Sequence, residues 1–113
     1  MSDRLMDPQN IPEGKARPLV TVRVKLSGFL SSLVSESELE VEVAARSTVA
    51  DLIGMLTERF GDAFRKAIVD REGRLHGGIV VMLNRRTVLP RKIAKTVINE
   101  ESDLTILPLV GGG

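Results

Sequence analysis

The sequence predicts an α+β domain in which a mixed sheet of four or five strands packs on one principal helix. Three observations predict it. Val20, Val22, Val24 and Leu26 alternate with Thr21, Arg23 and Lys25, the period of a strand with one buried and one wet face. Val49, Leu52, Ile53, Leu56 and Phe60 recur at helical spacing and form one apolar stripe, which needs an apolar sheet face to cover it. Strand-like segments stand on both sides of that helix in the chain, so both halves must contribute to the same sheet.

Taken in order, residues 1–18 are polar, carry Pro8, Pro12, Gly14 and Pro18, and show no sustained apolar period. They read as a flexible N-terminal extension, with the domain spanning residues 19–109. An interaction arm or an attachment point at Lys15 is the functional alternative to a solvated tail. Gly28 ends the first strand, and Phe29, Leu30, Leu33 and Val34 have the spacing of a short helix. Leu39-Glu-Val-Glu-Val43 alternates again as a second strand, too far from the first for a tight hairpin.

Thr48 is the natural N-cap of the principal helix. Asp51 falls in its first turn, where a negative charge suits the helix dipole, and Gly61 stops it. Gly54 interrupts the helix at a cost of roughly 1 kcal/mol relative to Ala, which close packing on the sheet would explain. A second helical turn over residues 63–68 would bury Phe64, Ala67 and Ile68. Asp70-Arg-Glu-Gly73 is a turn and Gly77-Gly78 a break. Ile79-Val-Val-Met-Leu83 is nearly continuous apolar and reads as an interior strand. Asn84-Arg85-Arg86 turns the chain into a short return around Val88. Residues 91–98 fit either a short helix or irregular structure. A polar loop then leads to a last strand over residues 104–109. The first and last strands should lie side by side in the centre of the sheet.

The last strand runs into Gly111-Gly112-Gly113. Residues 108–113 extend about 20 Å if fully stretched. Glycine permits close backbone approach, so such a tail suits a narrow active site on another protein, with the chemistry on the Gly113 carboxylate. Residues 110–113 are therefore expected to form a flexible glycine tail. Taken alone, the tail is read equally well as a frayed chain end.

Composition narrows the classes. The chain has 113 residues, enough for one domain, and its 42% hydrophobic content is that of a folding chain. Sixteen basic and fifteen acidic residues give a net charge of +1, so there is no global drive towards nucleic acid or anionic membrane. No cysteine is present, which excludes disulfides, thiolate metal ligands and a thiol nucleophile from this chain and is compatible with a cytoplasmic location. No apolar run approaches a membrane span, and the N-terminus lacks the apolar core of a secretory signal.

In their order, several stretches resemble the ubiquitin-like β-grasp proteins with a C-terminal diglycine. The chain is most similar among them to the small subunit of molybdopterin synthase and the archaeal ubiquitin-like small modifier proteins. The stretches are Val22-Arg-Val-Lys-Leu26 followed by Phe29 and Leu33, Ser47-Thr-Val-Ala-Asp-Leu52, Asp70-x-x-Gly-x-Leu75, Val80-Val-Met-Leu-Asn84-Arg85, and Leu104-Thr-Ile-Leu-Pro-Leu-Val-Gly-Gly. The resemblance covers residues 19–113. Three features depart from it: a third terminal glycine, Asn84-Arg85 where an Asn-Gly turn is common, and a longer N-terminal extension.

The resemblance implies a carrier and not an enzyme, with no bound cofactor and no metal. A partner related to ubiquitin-activating enzymes would use ATP to adenylate the Gly113 carboxylate. A sulfur nucleophile would then give a thiocarboxylate for a molybdopterin-synthase large-subunit-like acceptor, placing the chain in molybdenum cofactor assembly. Conjugation to substrate lysines by an isopeptide bond is the alternative, with Lys15, Lys25, Lys66, Lys92 and Lys95 as chain acceptors. Val110, Gly111 and Gly112 would lie in the partner's channel. Phe29, Leu33 and Leu109 would form a docking surface, although helical spacing by itself assigns Phe29 and Leu33 to the core first.

A remoter alternative is an RNA or acidic-protein binding module built on Arg85, Arg86, Arg91, Lys92 and Lys95. Aromatic residues are only 3%, without Trp or Tyr, so a base-stacking platform is poorly supplied. His76, the one histidine, reads as a polar loop residue before it reads as a general base. Gly77-Gly78 lacks the Lys-Ser/Thr of a phosphate-binding loop.

Overall fold

The computed structural model describes residues 18–109; the expectations for residues 1–17 and 110–113 lie outside the described residues. The elements are β1 (Leu19–Leu26), α1 (Phe29–Val34), β2 (Glu38–Ala44), β3 (Ser47–Thr48), α2 (Val49–Phe60), α3 (Asp62–Ile68), β4 (Ile79–Leu83), β5 (Arg86–Val88), a 3-10 turn (Pro90–Lys92), β6 (Val97–Ile98) and β7 (Ser102–Pro108).

Five strands form one mixed sheet in the order β2-β1-β7-β4-β5. β1 and β7 run parallel at its centre, with Val24 opposite Leu104 and Leu26 opposite Ile106. A parallel pair needs a long crossover, and the segment between β2 and β4 supplies it, carrying α2 and α3 across one face. The alternation in β1 is seen as expected: Val22, Val24 and Leu26 are buried under the helices, while Arg23 and Lys25 face water. Val41 and Val43 of β2, Val81 of β4 and Ile106 of β7 complete the sheet side of the core. Val49, Leu52, Ile53 and Leu56 complete its helix side. Full burial of each such side chain stabilises the fold by roughly 1.5–3 kcal/mol.

The principal helix begins and ends where its residues dictate. The Thr48 side chain accepts from the Asp51 amide, and the Thr48 amide donates to the Asp51 carboxylate at 2.9 Å, a reciprocal capping box. Loss of such a cap costs about 1 kcal/mol. Gly61 closes the helix at φ 94°. Phe60 is half-buried and meets the buried Phe64 of α3, ring centroids 5.2 Å apart at 59°.

Four local expectations need correction or completion. Gly54 does not pack on the sheet: a Cβ there would have nothing within 4 Å. Asn84 and Arg85 both take positive φ, 51° and 74°, as a two-residue primed turn requires, so Arg85 adopts the conformation that glycine favours. Residues 91–98 resolve into the end of the 3-10 turn and the short strand β6, which pairs with β3. Phe29 and Leu33 are not core residues. The six-residue α1 has two apolar pairs at i,i+4 spacing, and it turns Leu30 and Val34 inward.

Candidate functional site

The sheet delivers the chain's last segment at one end. β7 is paired on both sides as far as Ile106, by β1 and by β4, and on the β4 side alone to Pro108, which stands opposite Ile79. Proline has no N–H, so it can close a central strand only at its terminus. The next amide, that of Leu109, extends the β4 register by one residue and donates to the Gly78 carbonyl at 2.6 Å.

Two glycines shape this exit. Gly28 sits at φ 61° and ψ −142°, a conformation that an L side chain rarely adopts. A Cβ on Gly28 would stand 3.1 Å from Cγ of Pro108. The turn after β1 can thus lie against the root of the tail only because Gly28 carries no side chain. Gly78 serves through its carbonyl, and it is reached from the loop opened by Asp70. The Asp70 carboxylate accepts from the amides of Glu72 and Arg74, both at 2.9 Å. The Arg74 amide, assisted by that of Glu72, holds the Asp70 carboxyl below the usual 3.8.

The same end exposes apolar surface. Phe29 is 52% exposed, Leu33 43% and Leu109 60%. Phe29 and Leu33 share the outer face of α1, and Gly28 and Pro108 hold α1 and the tail root together. The three residues named as a docking surface therefore belong to the end from which the tail leaves. Val110, Gly111, Gly112 and Gly113 lie outside the described residues. In the sequence Gly28 and Gly78 read as chain breaks and Pro108 as the start of the last segment, none of them as a site residue. Each is a breaker beside a strand, but their contacts join distant parts of the chain that no local pattern relates.

The other titratable candidates serve the backbone. Asp51 caps α2, and His76 Nε2 lies 3.0 Å from the Lys66 carbonyl near the end of α3. Asp62 pairs with Arg65 at 3.0 Å, and that bond holds its carboxyl below the ordinary range. Among the described residues, no group of three or more His, Cys, Asp or Glu is placed to hold a metal ion, and no helix is long and apolar enough to cross a membrane.

Comparison with known proteins gives concordant results. The model of the ThiS family matches residues 24–113. A relative from Archaeoglobus fulgidus, named "Putative sulfur carrier protein", is 30% identical over 84 residues, covering 74% of this chain and 93% of the relative. The fold is similar to that of SAMP1 from Haloferax volcanii (TM-score 0.71, 22% identity, 82% of this chain and 99% of that one). It is similar also to Urm1 from Trypanosoma brucei (TM-score 0.68, 18% identity, 84% and 97%). A chain of the Amycolatopsis orientalis BexX/CysO complex matches with TM-score 0.61 at 27% identity, over 81% of this chain and 99% of that one. The mixed sheet with its principal helix is thus the ubiquitin-like β-grasp fold.

Proposed function

Because the chain belongs to the ThiS family, whose ubiquitin-like β-grasp members are sulfur carriers or protein modifiers, we propose that it is a sulfur carrier working through the carboxylate of Gly113. One observation carries the choice of sulfur: the relative at 30% identity, matched over nearly its whole length, bears a sulfur-carrier name.

The chemistry follows from the carboxylate's poor electrophilicity. Its charge is delocalised, and oxide is a bad leaving group. A carboxylate oxygen attacks the α-phosphorus of ATP held by a ubiquitin-activating-type partner, and pyrophosphate leaves. The product is a mixed anhydride whose leaving group is AMP. A sulfide-level nucleophile supplied by the partner adds to the carbonyl, AMP departs, and a thiocarboxylate remains. Its acceptor would be a protein like the large subunit of molybdopterin synthase.

This chain's own contribution is presentation. Gly111 and Gly112 give clearance in the partner's channel. The fixed end of β7 orients the segment, and Phe29, Leu33 and Leu109 offer the partner an apolar seat. ATP and the acid/base groups belong to the partner, as would conjugating enzymes and substrate lysines on the modifier route.

The test is ATP–pyrophosphate exchange with the activating enzyme from the same cell. Wild-type chain should support exchange. Gly112→Ala should lower it strongly while leaving the far-UV spectrum and thermal midpoint unchanged. Equal exchange by both proteins would contradict the channel reading.

A further inference from the structure

The β5 flank of the domain carries a feature that the tail does not use. Between Asn84 and Asn99 the chain holds Arg85, Arg86, Arg91, Lys92 and Lys95 and not one carboxylate, within a protein whose net charge is only +1. All five cations are exposed, and none makes an ion pair with another described residue. β5 is also an edge strand, its outer side unpartnered by any described strand.

The charge sits on shaped apolar ground. Residues 89–96 form a wall between two depressions of about 350 and 460 Å³. The first is walled by Leu83, Val88 and the 43%-exposed Leu89, with Arg86 and Lys92 at its rim. The second is walled by Ala50, Leu75 and Ile93, with Arg74 and Arg91 at its rim. Among the described residues, no acidic one lines either depression. Two carboxylates lie near Arg74: Asp70 accepts from its backbone amide, and Glu72 reaches its guanidinium only at 4.0 Å, with both side chains well exposed. Apart from Arg74, whose amide braces the Asp70 loop, none of the residues lining the depressions was placed at the tail exit.

We propose that this flank is a second docking surface, which takes an acidic peptide segment of a partner protein, its aliphatic side chains seated in the two depressions and its carboxylates on Arg86, Arg91 and Lys92. Charge complementarity selects an acidic partner, and the apolar walls select one with aliphatic anchors. Single-stranded RNA fits less well: no aromatic side chain lines either depression, so bases have nothing to stack on. The surface stands independently of the carrier reading, because it uses neither the glycines nor α1.

The test uses the full chain and a short fluorescein-labelled peptide of alternating Asp-Asp and Leu-Leu pairs, followed by anisotropy. Saturable binding should weaken with added salt. Arg91→Glu with Lys92→Glu should weaken it about tenfold or more, and Arg91→Ala with Lys92→Ala in the same direction by less. Both pairs are solvent-exposed, and far-UV spectra verify that the variants fold. Replacing the peptide's Leu by Ser should also weaken binding, whereas deleting residues 111–113 should leave it unchanged. The proposal is overturned by equal affinity for wild type and the charge-reversed variant, or by a Ser peptide that binds as tightly as the Leu peptide. It is equally overturned if polyuridine displaces the labelled peptide at lower concentration than unlabelled peptide does.

Discussion

The same chemical change, glycine to alanine, should have opposite consequences at Gly28 and at Gly54. At Gly28 the backbone holds φ 61° and ψ −142°, and a non-glycine residue kept there costs about 1–3 kcal/mol. The new methyl would also stand 3.1 Å from Cγ of Pro108, a stiff ring anchored in register opposite Ile79. Together these give a loss of about 2–3 kcal/mol, or roughly 10–20 °C in Tm for a domain of this size. At Gly54 the site is mid-helix and exposed, with nothing within 4 Å of the added methyl. Alanine there should stabilise by about 0.5–1 kcal/mol, because it lowers the entropy of the unfolded chain and suits a helix. Urea unfolding of both variants beside wild type reads the difference directly. Pyrophosphate exchange should fall for Gly28→Ala, whose strain lies at the root of the tail, and stay unchanged for Gly54→Ala. A Gly28→Ala protein within about 0.5 kcal/mol of wild type would refute the packing argument.

Two further outcomes follow from the site. Phe29→Asp combined with Leu33→Asp should leave Tm nearly unchanged, since both side chains are already exposed, yet lower exchange by raising KM for the carrier; an unchanged KM would remove them from the docking surface. Asp70 is held below its ordinary 3.8 by the Arg74 and Glu72 amides, so its folded value lies under its unfolded one. Its stabilising contribution is complete above the unfolded value and is lost as pH falls through the folded one. A carboxyl NMR titration should therefore place the Asp70 midpoint below 3.8, and Asp70→Asn should make acid unfolding less steep; a midpoint at or above 3.8 would count against the loop geometry.

Much of this architecture is legible in the sequence because its signals are local. β1 declares itself by the alternation from Val20 to Leu26, and α2 by its stripe, its Thr48 cap and its Gly61 stop. The failures have physical causes. In α1, Phe29/Leu33 and Leu30/Val34 have the same spacing, so only the position of β7 and α3 decides which pair is buried. β3 and β6 have two residues each, too few for any period. Arg85 at positive φ shows that hairpin geometry can impose a conformation its residue does not prefer. The contact between Gly28 and Pro108 arises only when β1 and β7 meet as parallel neighbours, so it had no local signature. The glycine run is legible without any fold, although residues 110–113 lie outside the described residues. Its exit became visible only with the sheet.

The central claim is that the Gly113 carboxylate carries sulfur as a thiocarboxylate. The most direct measurement is the intact mass, with fragmentation of the last residues, of the chain recovered from its own cells under non-reducing, cold conditions. The account predicts a population in which one oxygen is replaced by sulfur, with the change confined to the terminal glycine. Chain that carries only an unmodified terminal carboxylate, while other proteins bear its glycine remnant on their lysines, would contradict it.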